Sequence, residues 1–167
     1  CKNIVFSSSA TVYGEPEFAP ITESCSKHDA TNPYGWTKSM LEQILADLYA
    51  GDPEWSIVLL RYFSPIGVGS IAGEPAEDGS RRGVGIFNLG TGKGSSVLDA
   101  IHAFEAACGH EIPYRIMDRR PGDIAECYAN ASKARDELNW TAEYDMARMC
   151  EDGWRWQSQN PNGYGEV

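Results

Sequence analysis

Apolar residues follow two rhythms along this chain. Short, nearly continuous apolar runs at 3–6 (NIVF), 55–62 (WSIVLLRY) and 85–89 (GIFNL) have the character of strands buried on both faces of a parallel sheet. Between the first two runs, residues 33–50 repeat apolar positions at helical spacing, through Leu41, Ile44, Leu45 and Leu48. Pro33 suits a first helical turn, where its missing N–H would have no partner anyway, and Asn32 stands where an N-cap belongs. Strand, crossover helix and strand in this order form a βαβ unit, so the fold class is α/β with a parallel sheet. Further helices are predicted at 95–108, 132–139 and 144–158, and a short strand at 114–117. In the first of these helices Ser96 and Asp99 have capping-box spacing and Gly109 is a stop. Residues 14–32 and 64–83 are rich in Gly, Pro and polar side chains and read as loops. The second is about 20 residues without periodicity, which is unusual inside a compact domain and marks a lid, a linker or a splice.

The helix at 33–50 carries an oddity. At ~100° per residue, Tyr34, Lys38, Leu41, Leu45 and Leu48 fall within a sector of roughly 80°. A lysine and a tyrosine therefore share the side of the leucines expected to face a core. Lysine is seldom buried without a partner, so Tyr34 and Lys38 form a candidate site. The rival reading is a chance spacing, with the lysine reaching outward from the stripe edge.

Composition narrows the field. The 167 residues are 42% apolar, enough for a core, and correspond to one domain or slightly more. With 24 acidic and 14 basic side chains the net charge is −10, which argues against nucleic acid or an anionic membrane surface as partners. No apolar run is long enough to span a bilayer, and no signal peptide is visible. Five cysteines with neither CxxC nor metal-ligand spacing suit free thiols in a reducing, cytoplasmic compartment, and three scattered histidines give no metal site.

Three local motifs carry possible chemistry. Ser7-Ser8-Ser9 closes a strand, where its hydroxyls could meet a ligand or merely cap the loop. Gly90-x-Gly92-x-Gly94 lacks the spacing of a dinucleotide fingerprint and reads as a tight strand-to-helix turn. Arg119-Arg120-Pro-Gly-Asp123 presents planar cations at a turn, suited to phosphate or to a solvated ion pair.

Taken in order, SSSATVYG at 7–14, YGWTK at 34–38, LRYFSPIG at 60–67, IFNLGTGKGSSVLD, RRPGD and GWRWQSQNPNGY resemble the UDP-hexose 4-epimerases of the extended short-chain dehydrogenase/reductase family. The resemblance implies the carboxyl-terminal half of a Rossmann-type parallel sheet (residues 1–69), a junction (70–83) and part of a smaller α/β substrate domain (84–167). It implies NAD as cofactor and a UDP-sugar as substrate. Tyr34 resembles the general base that takes the proton from the sugar 4-hydroxyl. Lys38 resembles the lysine that binds the nicotinamide ribose and helps the tyrosine ionise. An ammonium ~6 Å from a phenolate is worth about 3 kcal/mol at an effective dielectric of ~20. A phenol titrating near 10 needs about 4 kcal/mol to serve as a base at neutral pH. Ser9 resembles the serine shared by cofactor and substrate, Phe63 a residue lining the nicotinamide site, and Arg120 and Asp123 contacts to UDP.

Three departures matter. Ser64 stands where the family usually has Asn, which shortens one substrate contact. Cys127 replaces the bulky tyrosine of some members, leaving room for N-acetyl sugars as well as UDP-glucose and UDP-galactose. Ala10 and Thr11 stand where the dehydratases of the superfamily carry Asp-Glu, so neither can protonate a leaving hydroxyl. The family's amino-terminal Gly-rich turn and first strands have no counterpart here, nor has much of the segment after its RYFNP motif. A partial chain is therefore expected, inactive alone and homodimeric when complete. The alternatives are another nucleotide-sugar epimerase of the extended family, or a non-catalytic remnant that only packs or binds.

Overall fold

The computed structural model describes residues 1–27, 29–63, 82–118, 120 and 123–163. Its centre is a parallel sheet of three strands in the order β1 (Asn3–Ser9), β2 (Ser56–Tyr62) and β3 (Gly83–Leu89). The expected parallel pairing is present, with Ser9 opposite Tyr62 and Tyr62 opposite Leu89 at the carboxyl ends. Strand β1 runs three residues beyond the apolar stretch, because pairing with β2 satisfies the backbone of Ser7 to Ser9 whatever their side chains. A 3-10 turn at Ala10–Tyr13 follows directly.

Helix α1 (Pro33–Gly51) lies on one face of the sheet, capped by Asn32, whose side chain accepts from the Gly35 N–H at 2.8 Å. Leu45 packs there with Ile57 and Leu59. Helix α3 (Ser132–Leu138) covers the other face, where Leu60, Phe87 and Leu89 meet Ala134. Alternate residues of β2 thus serve opposite layers, as a doubly covered strand requires. Helices α2 (Val97–Cys108) and α4 (Met146–Gln159) pack on each other. The capping box of Ser96 and Asp99 and the left-handed Gly109 stop are as the sequence predicts.

Three expectations need correction or qualification. The stretch 114–117 is not a strand. Ile116 is 81% exposed and Met117 68%, and among the described residues no strand pairs with it. An extended segment without a neighbour has no ladder to join. Apart from Leu45, the leucine stripe of α1 does not face the core either. Leu41, Ile44 and Leu48 are exposed, while the buried positions are Gly35, Glu42 and Leu45. The sheet underlies the helix along a line nearer Glu42, so the sequence placed the inner face about a quarter-turn too far round. Lys38 lies between the two faces and remains on the inner side. The loop reading at 64–83 falls almost wholly outside the described residues.

Candidate active site

A cavity of about 390 Å3 opens where β1 and β2 end, lined by Ser7, Ser8, Ser9, Ala10, Thr11, Tyr34, Tyr62, Ile124 and Cys127. Ligands of parallel α/β sheets bind beyond the carboxyl ends of the strands, and this volume lies within the usual ~300–1,000 Å3 of ligand pockets. Tyr34 reaches it because α1 begins hard against the 3-10 turn. A Cβ at Gly35 would lie 2.9 Å from the Ala30 Cβ and 3.1 Å from the Thr11 carbonyl oxygen, so only glycine permits this approach.

Lys38 sits one turn further along. Its Nζ donates to the Ser7 carbonyl at 2.7 Å and stands 5.6 Å from the centre of the Tyr34 ring and 5.1 Å from that of Phe6. Phenol and ammonium thus share one side of the helix. Ser9 Oγ accepts from the N–H and hydroxyl of Thr11, at 3.3 and 3.0 Å, which leaves its own O–H to donate. Cys127 arrives from the far side of the chain. The bridge between Ile21 and Ala129, with bonds of 2.9 and 2.8 Å, ties its segment to the loop before α1. Although exposed as a residue, Cys127 has enough protein around its thiol to raise the pKa, so the group stays neutral.

The structure therefore brings Ser9, Tyr34, Lys38 and Cys127 together. Phe63 is placed differently: its ring packs on Tyr13 at 6.2 Å beside Val12, Ile21 and Cys25, and it does not line the cavity. Arg120 and Asp123 pair with each other at 3.3 Å on an exposed turn, reaching the cavity only through their neighbours Ile124 and Cys127. Ser64 and Arg119 lie outside the described residues. Gly90-x-Gly92-x-Gly94 forms the strand-to-helix turn into α2, with Gly92 at φ +74°.

Sequence reasoning missed two features. Tyr62 lines the cavity, a position legible in hindsight as the last residue of a strand parallel to one ending in Ser9. The second is a buried polar network behind the site. Glu42 accepts from Arg61 Nε at 2.9 Å and Nη2 at 2.6 Å, and from Ser8 Oγ at 2.6 Å, with Lys27 Nζ at 3.4 Å. Arg61 stacks 4.7 Å over the Tyr13 ring, and the Tyr13 hydroxyl donates to Asn88 at 2.7 Å. Glu42 and Arg61 are each 2% exposed. Their only signals in the sequence were an arginine interrupting an apolar strand and a glutamate one turn after Lys38. Among the described residues no group of side chains could hold a metal ion, and no helix is long and apolar enough to cross a membrane.

The chain can now be set beside known proteins. The sequence profile of the NAD dependent epimerase/dehydratase family matches residues 1–97. The UDP-glucose 4-epimerase of Bacillus subtilis is 44% identical across 98% of this chain, and that of Pasteurella multocida 42% across 97%. The crystal structure of the Bifidobacterium longum UDP-glucose 4-epimerase in complex with NAD+ and UDP superposes with a TM-score of 0.87 at 41% identity, over 98% of this chain and 65% of that one. The chain spans 65% of the length of each of the two relatives. The matches run over 220 and 219 residues, more than the 167 here, so the relatives carry residues within the matched stretch that have no counterpart in this chain.

Proposed function

The chain belongs to the NAD dependent epimerase/dehydratase family, and on that premise we propose that its protein interconverts UDP-hexoses by inverting C4. The observation that carries the reading is the single cavity shared by Ser9 and Tyr34, with the Lys38 ammonium held on the same side of α1. Tyr34 takes the proton of the 4-hydroxyl and gives it back after the sugar has presented its other face. Ser9 donates to the same oxygen. Lys38 holds its ammonium on the phenol's side of α1. The residues present fit the nicotinamide end of NAD: only one of the three Lys38 N–H donors is used by Ser7, and the others are available to ribose hydroxyls. When bound, NAD supplies the hydride acceptor and donor at C4. Proton and hydride both return to the sugar, so no net oxidation occurs.

Ala10 and Thr11 line the cavity, and neither is an acid, which favours epimerisation over dehydration. Cys127 leaves the wall low, and we assign acceptance of N-acetyl sugars to it. Arg120 and Asp123 are read as UDP contacts that exchange their mutual pair for the ligand, Phe63 as support behind the nicotinamide site, and Ser64 as a shortened sugar contact. Residues 1–69 supply the second half of the cofactor domain, 70–83 the junction and 84–167 part of the substrate domain, which lends β3 to the shared sheet. The complete protein is read as a homodimer in a reducing cytoplasm; the exposed apolar face of α1 and the five free thiols support this.

The test is turnover of UDP-galactose and UDP-N-acetylgalactosamine by the full-length protein. Tyr34→Phe is expected to lower kcat about a hundred- to ten-thousandfold. Cys127→Tyr is expected to abolish turnover of the N-acetyl sugar alone. Unchanged kcat in Tyr34→Phe removes the assignment, and unchanged N-acetyl turnover in Cys127→Tyr removes the specificity reading.

A further inference from the structure

We propose that Arg61 is a positioning residue for this reaction: it holds Glu42 in a two-point ion pair and so prevents that carboxylate from capturing Lys38. The inference rests on the reading of Tyr34 and Lys38 given above. Lys38 and Glu42 are four residues apart on α1, a spacing at which lysine and glutamate commonly pair across a helix surface. Here they do not. The Glu42 carboxylate faces Arg61, Ser8 and Lys27, and the Lys38 ammonium turns to the Ser7 carbonyl and the Tyr34 ring. Both partners of the avoided pair thus have alternative engagements, and those engagements hold the ammonium against Ser7 and Tyr34, two residues that line the cavity.

A carboxylate 2% exposed cannot go without a cation. Lys27 approaches Oε2 at 3.4 Å, and among the described residues Arg61 Nε is the cationic hydrogen-bond donor to Oε1. Removing Arg61 takes its donor from Oε1, which keeps the Ser8 hydroxyl, and Lys38 is the cation four residues back on the same helix. Among the described residues the remaining groups facing this region do not compete. β1 offers hydroxyls and the Ser7 carbonyl, and β2 offers Tyr62 besides Arg61. Cys127 stands across the cavity, and Tyr13, Asn88 and Glu23 lie behind Arg61 and hold one another. Arg61 touches neither the cavity nor its contents; it acts through Glu42 on Lys38.

The experiment uses the full-length, NAD-loaded protein carrying Arg61→Met, with Arg61→Lys as the milder variant in case the first does not fold. Crystal structures are expected to show Lys38 Nζ within salt-bridge distance of Glu42 and gone from the Ser7 carbonyl. kcat should fall about tenfold, with KM for the UDP-sugar within about twofold, since the ammonium is not read as a sugar contact. The double variant Arg61→Met with Glu42→Leu removes the competitor and should restore both the Lys38 position and kcat. Lys38 unmoved in the single variants, or a lowered kcat that the double variant fails to restore, overturns the proposal. A parent that does not epimerise refutes the functional reading instead, while the Lys38 position still decides this one.

Discussion

Glu42 is the residue on which the buried polar structure converges, and two predictions follow from its surroundings. Burial is the largest single influence on its carboxyl and pushes the pKa up. Hydrogen bonds and charge from Arg61, the Ser8 hydroxyl and Lys27 together outweigh it and hold the group below its ordinary value of 4.5. Glu42→Leu should destabilise by about 3–5 kcal/mol, because it leaves the buried Arg61 guanidinium without its carboxylate, and Arg61→Met by less, because Lys27 stays beside Glu42 and Lys38 takes the vacated place. The two together should cost far less, and urea denaturation of all four forms completes the cycle. Because the folded-state pKa is depressed, the ion pair contributes fully above pH 4.5 and is lost as pH falls through the folded value. Urea midpoints of the parent should therefore drop on acidification below pH 4.5 more steeply than those of Glu42→Gln. Asp99 and Asp152, also held low by their hydrogen-bond partners, act in the same direction in both proteins and cancel from the comparison.

At the scale of elements, helix ends were legible and helix faces were not. The start of α2 is written in Ser96 and Asp99, whose reciprocal bonds of 3.0 and 2.7 Å satisfy two backbone N–H groups. Ser96→Ala should cost about 1 kcal/mol and raise hydrogen exchange across the first turn of α2. Part of that loss should reach α4, since Phe104 of α2 lies 3.8 Å from where a Cβ on Gly153 would sit. End signals survive because a cap involves side chain and backbone within four residues. The burial of α1 depends instead on where the sheet passes beneath it, and Leu41 and Ile44 carried no mark of that. Residues 114–117 failed for a similar reason: a strand is defined by its neighbour, and apolar character alone supplies none.

For the molecule as a whole, the outward face of α1 is the feature that calls for a partner. Trp36, Met40, Ile44 and Leu48 form an i, i+4 ridge with Leu41 beside it, all at least 40% exposed. A continuous apolar ridge of this kind marks an interaction surface. If a second copy covers it, Met40→Glu with Ile44→Glu should convert the full-length protein from dimer to monomer in light scattering, with a thermal midpoint that becomes independent of protein concentration. An unchanged mass would assign the ridge to some other contact.

The sequence by itself determined the parallel βαβ order and the caps, since a strand end and the helix that follows it are close in the chain, whereas the grouping of Ser9 with Tyr34 and Lys38 was implied by the family resemblance and not by any spacing. Only the tertiary structure decided that Glu42 and Arg61 are buried, that Cys127 closes the cavity from more than ninety residues away, and that Phe63 turns into a core cluster. Those outcomes depend on which surfaces come to lie against each other, a property of the packed layers that no local spacing encodes.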